Sequence, residues 1–207
     1  FISQISSKES DYIKNGFYLS GCAEARIKDC FLLLCTGTNI DLKNSSEVYI
    51  DDVMMEGWTS QTDSTIGLYI HDGTINVYAT ACQFMHTGAP FYIDGLMSGR
   101  FSQCYFDSYQ VTAEIVSTTN VCRAISFDDC WFAMKTGLTI TYNAVRINGQ
   151  YARDISFSDC YVRDTPKDAI RIEGSAHHIS LKNIHFCEIG YYATASCIAI
   201  ASTISHV

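Results

Sequence analysis

A five-residue pattern recurs along this chain at intervals of about 22 to 30 residues. In each copy an apolar residue precedes two mostly polar residues, then a cysteine or aliphatic residue, and often an aromatic residue. The copies occupy residues 27–31, 50–54, 79–83, 101–105, 127–131, 157–161 and 181–185. No amphipathic helical pattern separates them, which argues against a βαβ sheet. The repeat therefore predicts a solenoid of β-coils, in which each coil buries its inward face by stacking on its neighbours.

A second short strand belongs to each coil and has the pattern apolar, any residue, apolar. Its copies are residues 17–19, 40–42, 68–70, 91–93, 113–115, 145–147, 170–172 and 198–200. Side chains alternate across a strand, so we expect the outer two residues to point inward and the middle one outward. Together the two patterns predict a right-handed parallel β-helix of about seven to eight coils, forming a single domain over residues 1–207. The chain begins with Phe1 and is still strand-like near its end, so we interpret it as a segment of a larger chain.

The polar residue before the cysteine of each repeat is expected to form a bend. Both of its neighbours can point inward only if the chain turns there, and Asp and Asn tolerate the left-handed conformation that such a turn needs. We therefore interpret this set as structural: Asp29, Asp52, Gln103, Asp129, Asp159 and Asn183. The cysteines that follow it should stack as an interior ladder of small apolar residues: Cys30, Cys82, Cys104, Cys130 and Cys160.

Composition excludes several classes of partner. The ten cysteines include no CxxC pair, so we expect buried, reduced thiols made in a reducing cytoplasm. The net charge is −8 and Lys and Arg form no cluster, which argues against nucleic acid and anionic membranes. No apolar run approaches the roughly 18 residues of a membrane span, and no signal peptide is visible. No sequence feature calls for a metal or a cofactor.

The outward residues of the second strand pattern should form a strip of roughly 30 Å along the solenoid. One column reads Tyr18, Asp41, Tyr69, Tyr92, Glu114, Arg146, Arg171 and Ala199, and a second reads Lys43, His71, Asp94, Val116, Asn148 and Glu173. Aromatic rings cover the apolar face of a sugar, and arginine pairs with carboxylates. This predicts a glycan-binding groove that uses Tyr69, His71, Tyr92, Arg146 and Arg171. An ordinary solvated surface would also place polar residues here.

Carboxylates in the strip are candidates for catalysis. Asp94 and Glu114 should lie on neighbouring coils, offset by two residues, which places their backbones about 8 Å apart. Inverting glycosidases hold their two carboxyl groups about 6.5 to 9.5 Å apart. Glu173, with Asp168, forms a second candidate pair. A lyase would instead use His71 or the two arginines.

Two further features are candidate contact regions. The segment 55–65 carries Trp58, which we predict to bind substrate as an alternative to the groove. An outward row of large side chains reads Phe31, Met54, Gln83, Tyr105, Trp131, Tyr161 and His185. Extended apolar patches mark contact surfaces, so we expect this row to contact a neighbouring subunit, although sugar stacking or covering loops would also explain it.

Polar single-residue bends, stacked interior ladders and variable connections resemble the pectate-lyase-like β-helix superfold. Within it, the chain looks most like the β-helical body of bacteriophage tailspikes, which are homotrimers that bind and often depolymerise bacterial surface polysaccharide. The resemblance covers nearly the whole chain but includes no catalytic motif. It implies an extracellular location on the virion tail, a bacterial polysaccharide as ligand, and a homotrimer formed through the row Phe31, Tyr105, Trp131 and Tyr161. The hypotheses are therefore a hydrolytic depolymerase, a non-catalytic adhesin or fibre segment, and a polysaccharide lyase.

Overall fold

The computed structural model describes residues 16–33, 37–57, 65–108, 112–117, 119–134, 143–190 and 195–200. These residues form β-strands and no helix. The strands are β1 (Phe17–Ser20), β2 (Ala25–Leu33), β3 (Thr38–Lys43), β4 (Ser46–Glu56), β5 (Ile66–Thr80), β6 (Gln83–Thr87), β7 (Ala89–Ser102), β8 (Tyr105–Ser108), β9 (Ala113–Val116), β10 (Cys122–Asp128), β11 (Trp131–Met134), β12 (Val145–Asn148), β13 (Ala152–Ser158), β14 (Tyr161–Thr165), β15 (Ile170–Glu173), β16 (His177–Lys182), β17 (His185–Ile189) and β18 (Ile198–Ile200).

The strands stack in parallel on three faces. The first face contains β1, β3, β5, β7, β9, β12, β15 and β18; the second contains β2, β4, β5, β7, β10, β13 and β16; the third contains β2, β4, β6, β8, β11, β14 and β17. The long strands β5 and β7 continue from the first face onto the second, and β2 and β4 continue from the second onto the third. This confirms the parallel β-helix. Over the described residues the stack has about six turns, whereas the sequence predicted about seven to eight coils.

A column of left-handed residues turns the chain between the second and third faces. Its φ angles are 53° at Asp29, 51° at Asp52, 54° at Ala81, 54° at Gln103, 51° at Asp129, 54° at Asp159 and 52° at Asn183. This confirms the predicted bends. Asn183 Nδ2 also donates a hydrogen bond to Asp159 Oδ1 at 3.0 Å, so side chains link adjacent levels of the column. Ala81 lacks a polar side chain and still adopts the conformation, because its stacked neighbours impose it.

Two stacks of phenylalanines form part of the interior. Phe84, Phe106 and Phe132 stack with centroid distances of 4.8 and 5.0 Å, and all three are fully buried. Phe101, Phe127 and Phe157 form a parallel stack at 5.1 and 4.7 Å. Phe91, on the first face, joins the two stacks through edge-to-face contacts with Phe101 and Phe106. Aromatic pairs in these geometries add to the stabilisation from burial.

Four of the five cysteines of the predicted ladder lie inside the solenoid, whereas Cys30, in the first copy of the repeat, is only half-buried. Cys82, Cys104, Cys130 and Cys160 are at most 2% exposed, and the nine cysteines within the described residues are free thiols. Each of these four thiols points at the carbonyl two residues before it; the Sγ of Cys160 lies 3.2 Å from the oxygen of Ser158. A small side chain with a weak donor suits a corner where the backbone turns sharply.

Candidate functional site

The first face carries the predicted strip. Strand pairing aligns Tyr18, Asp41, Tyr69, Tyr92, Glu114, Arg146, Arg171 and Ala199 as successive partners in one column. The second column aligns Lys43 with His71 and Asp94, and then Val116 with Asn148 and Glu173. From β3 to β15 the inward residues on either side of the first column are buried, so the backbone holds these outward side chains at regular spacing. We call these two columns, with the flanking Asp72 and Asp168, the strip.

One part of the strip is a cluster of rings. The rings of Tyr69 and His71, two residues apart on β5, stack with centroids 4.1 Å apart and planes 10° apart. Tyr92, on β7, meets the Tyr69 ring edge-to-face at 5.4 Å. Burial is the largest cause that raises the pKa of Tyr69 and, to about 12, the pKa of Tyr92. Both phenols are therefore neutral hydrogen-bond donors at neutral pH.

His71 is held by two carboxylates. Its Nε2 lies 2.9 Å from Asp41 Oδ1, and its Nδ1 lies 3.4 Å from Asp72 Oδ2. Asp72 has a φ of 55°, and this left-handed turn at the end of the first-face segment brings its carboxylate back towards His71. Lys43 Nζ reaches the same Asp72 oxygen at 3.4 Å. Since both ring nitrogens face an acceptor, the imidazole has a fixed orientation.

Asp94 lies beside this cluster, in register with His71. Its Oδ1 is buried and has no hydrogen-bond partner among the residues that the structure describes. Burial, followed by the negative charge of Asp72, raises the pKa of Asp94, while Asn120 and His71 oppose the shift. A carboxyl group in this environment holds its proton more tightly than an exposed one, as a general acid requires. We call Tyr69, His71, Tyr92 and Asp94 the aromatic half of the strip.

The remaining part of the strip is a network of ion pairs. Arg146 Nη1 donates to Glu114 Oε1 at 2.7 Å, and Arg146 Nε donates to Glu173 Oε2 at 3.0 Å. Arg171 Nε donates to the other oxygen of Glu173, and its Nη1 donates to Asp168 Oδ2 at 3.1 Å. We call Glu114, Arg146, Glu173, Arg171 and Asp168 the ion-pair half. Charge-assisted bonds of this kind fix both partners.

The two glutamates of the network differ in how far they are engaged. Burial favours the protonated form of Glu173, but the hydrogen bonds from Arg171 and Arg146 outweigh it and lower the pKa of Glu173. Both of its oxygens are occupied, so Glu173 is a poor proton donor. The Oε1 of Glu114 accepts a hydrogen bond from Arg146. Within the described residues its Oε2 accepts none, so this oxygen can accept another.

The predicted site residues fall into separate groups. Asp94 and Glu114 lie on neighbouring strands, since Tyr92, two residues before Asp94, pairs with Glu114. On the first face, the strand of Glu173 (β15) lies three strands beyond the strand of Asp94 (β7). Glu173 therefore belongs to the ion-pair half and not to the group around Asp94. Arg146 and Arg171, predicted to bind substrate, donate to carboxylates of the chain itself. Trp58 lies outside the described residues. Sequence analysis missed the role of Asp72, because its side chain reaches the strip only through the left-handed turn.

The outer row on the third face is also in register. Phe31, Met54, Gln83, Tyr105, Trp131, Tyr161 and His185 are successive partners. Trp131 stacks on Tyr161 at 5.1 Å, Tyr161 stacks on His185 at 4.7 Å, and Arg163 lies over the Trp131 ring. Tyr161 remains 41% exposed. The expected subunit contact through this row stays a prediction.

In comparisons with known proteins, no family model, curated protein or solved structure matches the chain. Within the described part of the chain, no group of three or more His, Cys, Asp or Glu side chains could hold a metal ion. The same residues include no apolar helix long enough to cross a membrane.

Proposed function

We propose that this chain is a tailspike-type body, carried on a virion tail, that binds bacterial surface polysaccharide along the strip and hydrolyses it. The observation that carries the proposal is the contrast between two carboxyl groups on neighbouring strands. Asp94 has a buried oxygen with no partner among the described residues and a raised pKa, whereas Glu114 accepts a hydrogen bond from Arg146 at one oxygen and has the other open. Paired carboxyl groups in contrasting environments are the usual arrangement for glycoside hydrolysis.

The reaction assigned to this pair is an inverting hydrolysis. Asp94 donates its proton to the glycosidic oxygen as the bond from that oxygen to the anomeric carbon breaks. Glu114 takes a proton from a water molecule whose oxygen attacks the anomeric carbon from the opposite side. One coil and two residues separate the two backbones by about 8 Å, within the separation of about 6.5 to 9.5 Å that leaves room for this water.

The aromatic half provides the binding surface beside Asp94. Tyr69 and Tyr92 are neutral phenols whose rings meet edge-to-face, so they offer apolar surface to sugar C–H groups and donors to sugar hydroxyls. Successive first-face strands are about 4.8 Å apart, which lets several sugar units lie along the column. A polymer is therefore a better match than a single sugar.

The contacts that His71, Arg146 and Arg171 make with carboxylates of the chain favour hydrolysis over the lyase alternative. A lyase needs a base beside an acidic sugar and a cation to neutralise its carboxylate. His71 faces carboxylates at both ring nitrogens, at 2.9 and 3.4 Å. Arg146 and Arg171 donate to glutamate and aspartate side chains. Neither the base nor the neutralising cation is available without breaking these contacts.

A non-catalytic adhesin is the second candidate. The ion-pair half supports it, because Glu173 and Asp168 are engaged by arginine and also, at Asp168, by the backbone N–H of Ser196 at 3.0 Å. A surface that serves only for binding needs regular spacing and rigidity, and this network provides both. The adhesin would use the same aromatic half without proton transfer at Asp94.

Release of reducing ends from bacterial capsular and O-antigen polysaccharides tests the proposal. We expect chain cleavage without the ultraviolet absorbance of an unsaturated sugar, and Asp94→Asn and Glu114→Gln should each lower its rate by about 100-fold or more. Cleavage with that absorbance would establish a lyase. Glycan binding without cleavage would establish the adhesin, and the absence of both would overturn the proposed function.

A further inference from the structure

Every cation of the strip is already paired with a carboxylate of the chain. Lys43 contacts Asp72 at 3.4 Å, Arg146 contacts both Glu114 and Glu173, and Arg171 contacts Glu173 and Asp168. Arg123 on β10 and Arg153 on β13 are register partners on adjacent strands. Both lie on the second face, outside the strip. No described cation of the strip is thus left over for an acidic group on a ligand.

Carboxylates also outnumber cations along the strip. Its cations are Lys43, Arg146 and Arg171, and its carboxyl groups are Asp41, Asp72, Asp94, Glu114, Glu173 and Asp168. The aromatic half contributes neutral phenols, the carboxylate-bound His71 and the carboxyl group of Asp94, and none of these is an unpaired cation. A polymer lying on the strip therefore meets a surface with an excess of negative charge, at distances where like charges repel through partly excluded water.

An acidic ligand would have to take a cation from its present partner. If Arg146 turned towards a substrate carboxylate, Glu114 and Glu173 would lose the donor they share across neighbouring coils. Glu114 and Glu173 are only 16% and 20% exposed, so water would replace those bonds incompletely. Replacing a carboxylate of the chain with a carboxylate of the ligand therefore adds no net ion pair. It also leaves a partly buried carboxylate of the chain unpaired.

We infer that the strip selects polysaccharides whose repeating units lack carboxylate, phosphate and sulfate groups. This inference rests on the proposed function and names the substrate class of that same site. The selection is negative: neutral or amine-bearing sugars meet the aromatic half without a penalty, whereas acidic sugars meet repulsion and find no open cation. We expect discrimination of at least about tenfold in affinity against the acidic form of a given polymer.

The test compares each polymer with its own neutral form. Bacterial polysaccharides that contain uronic acids are used in native and carboxyl-reduced form, together with naturally neutral capsules and O-antigens, and both binding and reducing-end release are measured. Binding or cleavage confined to the neutral and carboxyl-reduced polymers supports the inference. A native acidic polymer that is bound or cleaved as well as its reduced form overturns the inference and leaves the proposed function standing. No binding or cleavage of any polymer overturns both.

A protein variant gives an independent measurement. Glu173→Gln removes one carboxylate and loosens both arginines, so the discrimination against a native acidic polymer should fall by severalfold. Glu24→Gln is the matched control, because Glu24 pairs with Arg26 away from the strip and is mostly exposed. Discrimination that is equal in wild type and Glu173→Gln would show that the network does not set it, and would overturn the inference. Circular dichroism checks that both variants keep the β-fold.

Discussion

The aromatic half and the ion-pair half share one backbone geometry and differ in what their side chains do. Both occupy outward positions of the first face, in the same register and over buried apolar residues. In the aromatic half, Asp94 keeps a buried oxygen without a partner. In the ion-pair half, Glu173 has both oxygens bonded to arginine. The regular strands therefore fix the positions of these carboxyl groups, and their side-chain partners determine how differently Asp94 and Glu173 are held.

The difference also concerns stability. An unpartnered, partly buried carboxyl group costs free energy, whereas a carboxylate bonded to two guanidinium groups is compensated. Catalytic and binding groups are commonly held in environments that lower the free energy of unfolding. This contrast is why we propose the aromatic half as the functional region, with the ion-pair half holding Glu114 from one side.

The largest effect should come from Asp94→Asn. We expect the rate of polysaccharide hydrolysis to fall by about 10²- to 10⁴-fold, because the amide cannot donate the acid proton, while glycan binding persists. Reducing-end release and calorimetric binding measure the two quantities. Asp51→Asn, in an ion pair with Lys28 on the second face, is the matched control and should keep full activity. A greater loss in Glu173→Gln than in Asp94→Asn would place the acid in the ion-pair half and reverse the comparison.

Arg146→Ala should have the next largest effect, on stability. Removal of the guanidinium leaves Glu114 and Glu173 without their shared donor, and we expect the free energy of unfolding to fall by about 1 to 3 kcal/mol, since Arg146 is about one third exposed. Urea denaturation measures the change. Arg26→Ala, which breaks an exposed pair with Glu24, should stay within about 0.5 kcal/mol of wild type. Equal losses in the two variants would contradict a stabilising network.

Tyr69→Ala should weaken glycan binding by about two- to tenfold, because it removes a ring that covers sugar C–H groups and supports the orientation of His71. Isothermal titration calorimetry with a cleaved oligosaccharide product measures the affinity. Tyr49→Ala is the control, since Tyr49 stacks on Tyr78 on the second face and not in the strip. An affinity that falls only in the Tyr49 variant would move the binding surface to the second face.

The smallest expected effects are on the free energy of unfolding, and they have opposite signs for Glu173 and Asp94. Glu173 has a lowered pKa when folded, so its stabilising contribution is complete above its ordinary pKa of 4.5 and is lost as the pH falls through the folded value. Asp94 has a raised pKa, so its contribution favours folding below 3.8 and is lost as the pH rises through the folded value. At neutral pH, Glu173→Gln should therefore destabilise the protein and Asp94→Asn should stabilise it, each by less than about 1 kcal/mol. Unfolding free energies between about pH 3 and 7 measure both, and shifts of the same sign would contradict the contrast.

Much of the fold could be predicted from the sequence, because inward residues must be apolar and stacked. The order of the strip from Tyr18 to Ala199 and the left-handed bends at Asp29 and Asn183 follow from that requirement and are confirmed. Ala81 could not be identified as a bend by its residue type. It is forced into the left-handed conformation by the levels above and below it.

The chemistry of the candidate site could be predicted only in part. Sequence places Arg146 beside Glu114, but the direction of a long flexible side chain decides whether it binds substrate or bonds to Glu173 as well. The turn at Asp72 likewise determines that its carboxylate reaches His71. Such choices depend on rotamers and on neighbouring coils, which no local pattern encodes.

The parallel pairing on all three faces has a mechanical consequence. Hydrogen bonds between strands link each coil to the next, so they point along the stacking axis. Tension along that axis acts on the hydrogen bonds of all three faces of a coil at once. The solenoid can lengthen only after all the hydrogen bonds between two neighbouring coils have broken. The solenoid should therefore behave as a stiff rod that transmits force along its length, while the strip on its side keeps its spacing under load.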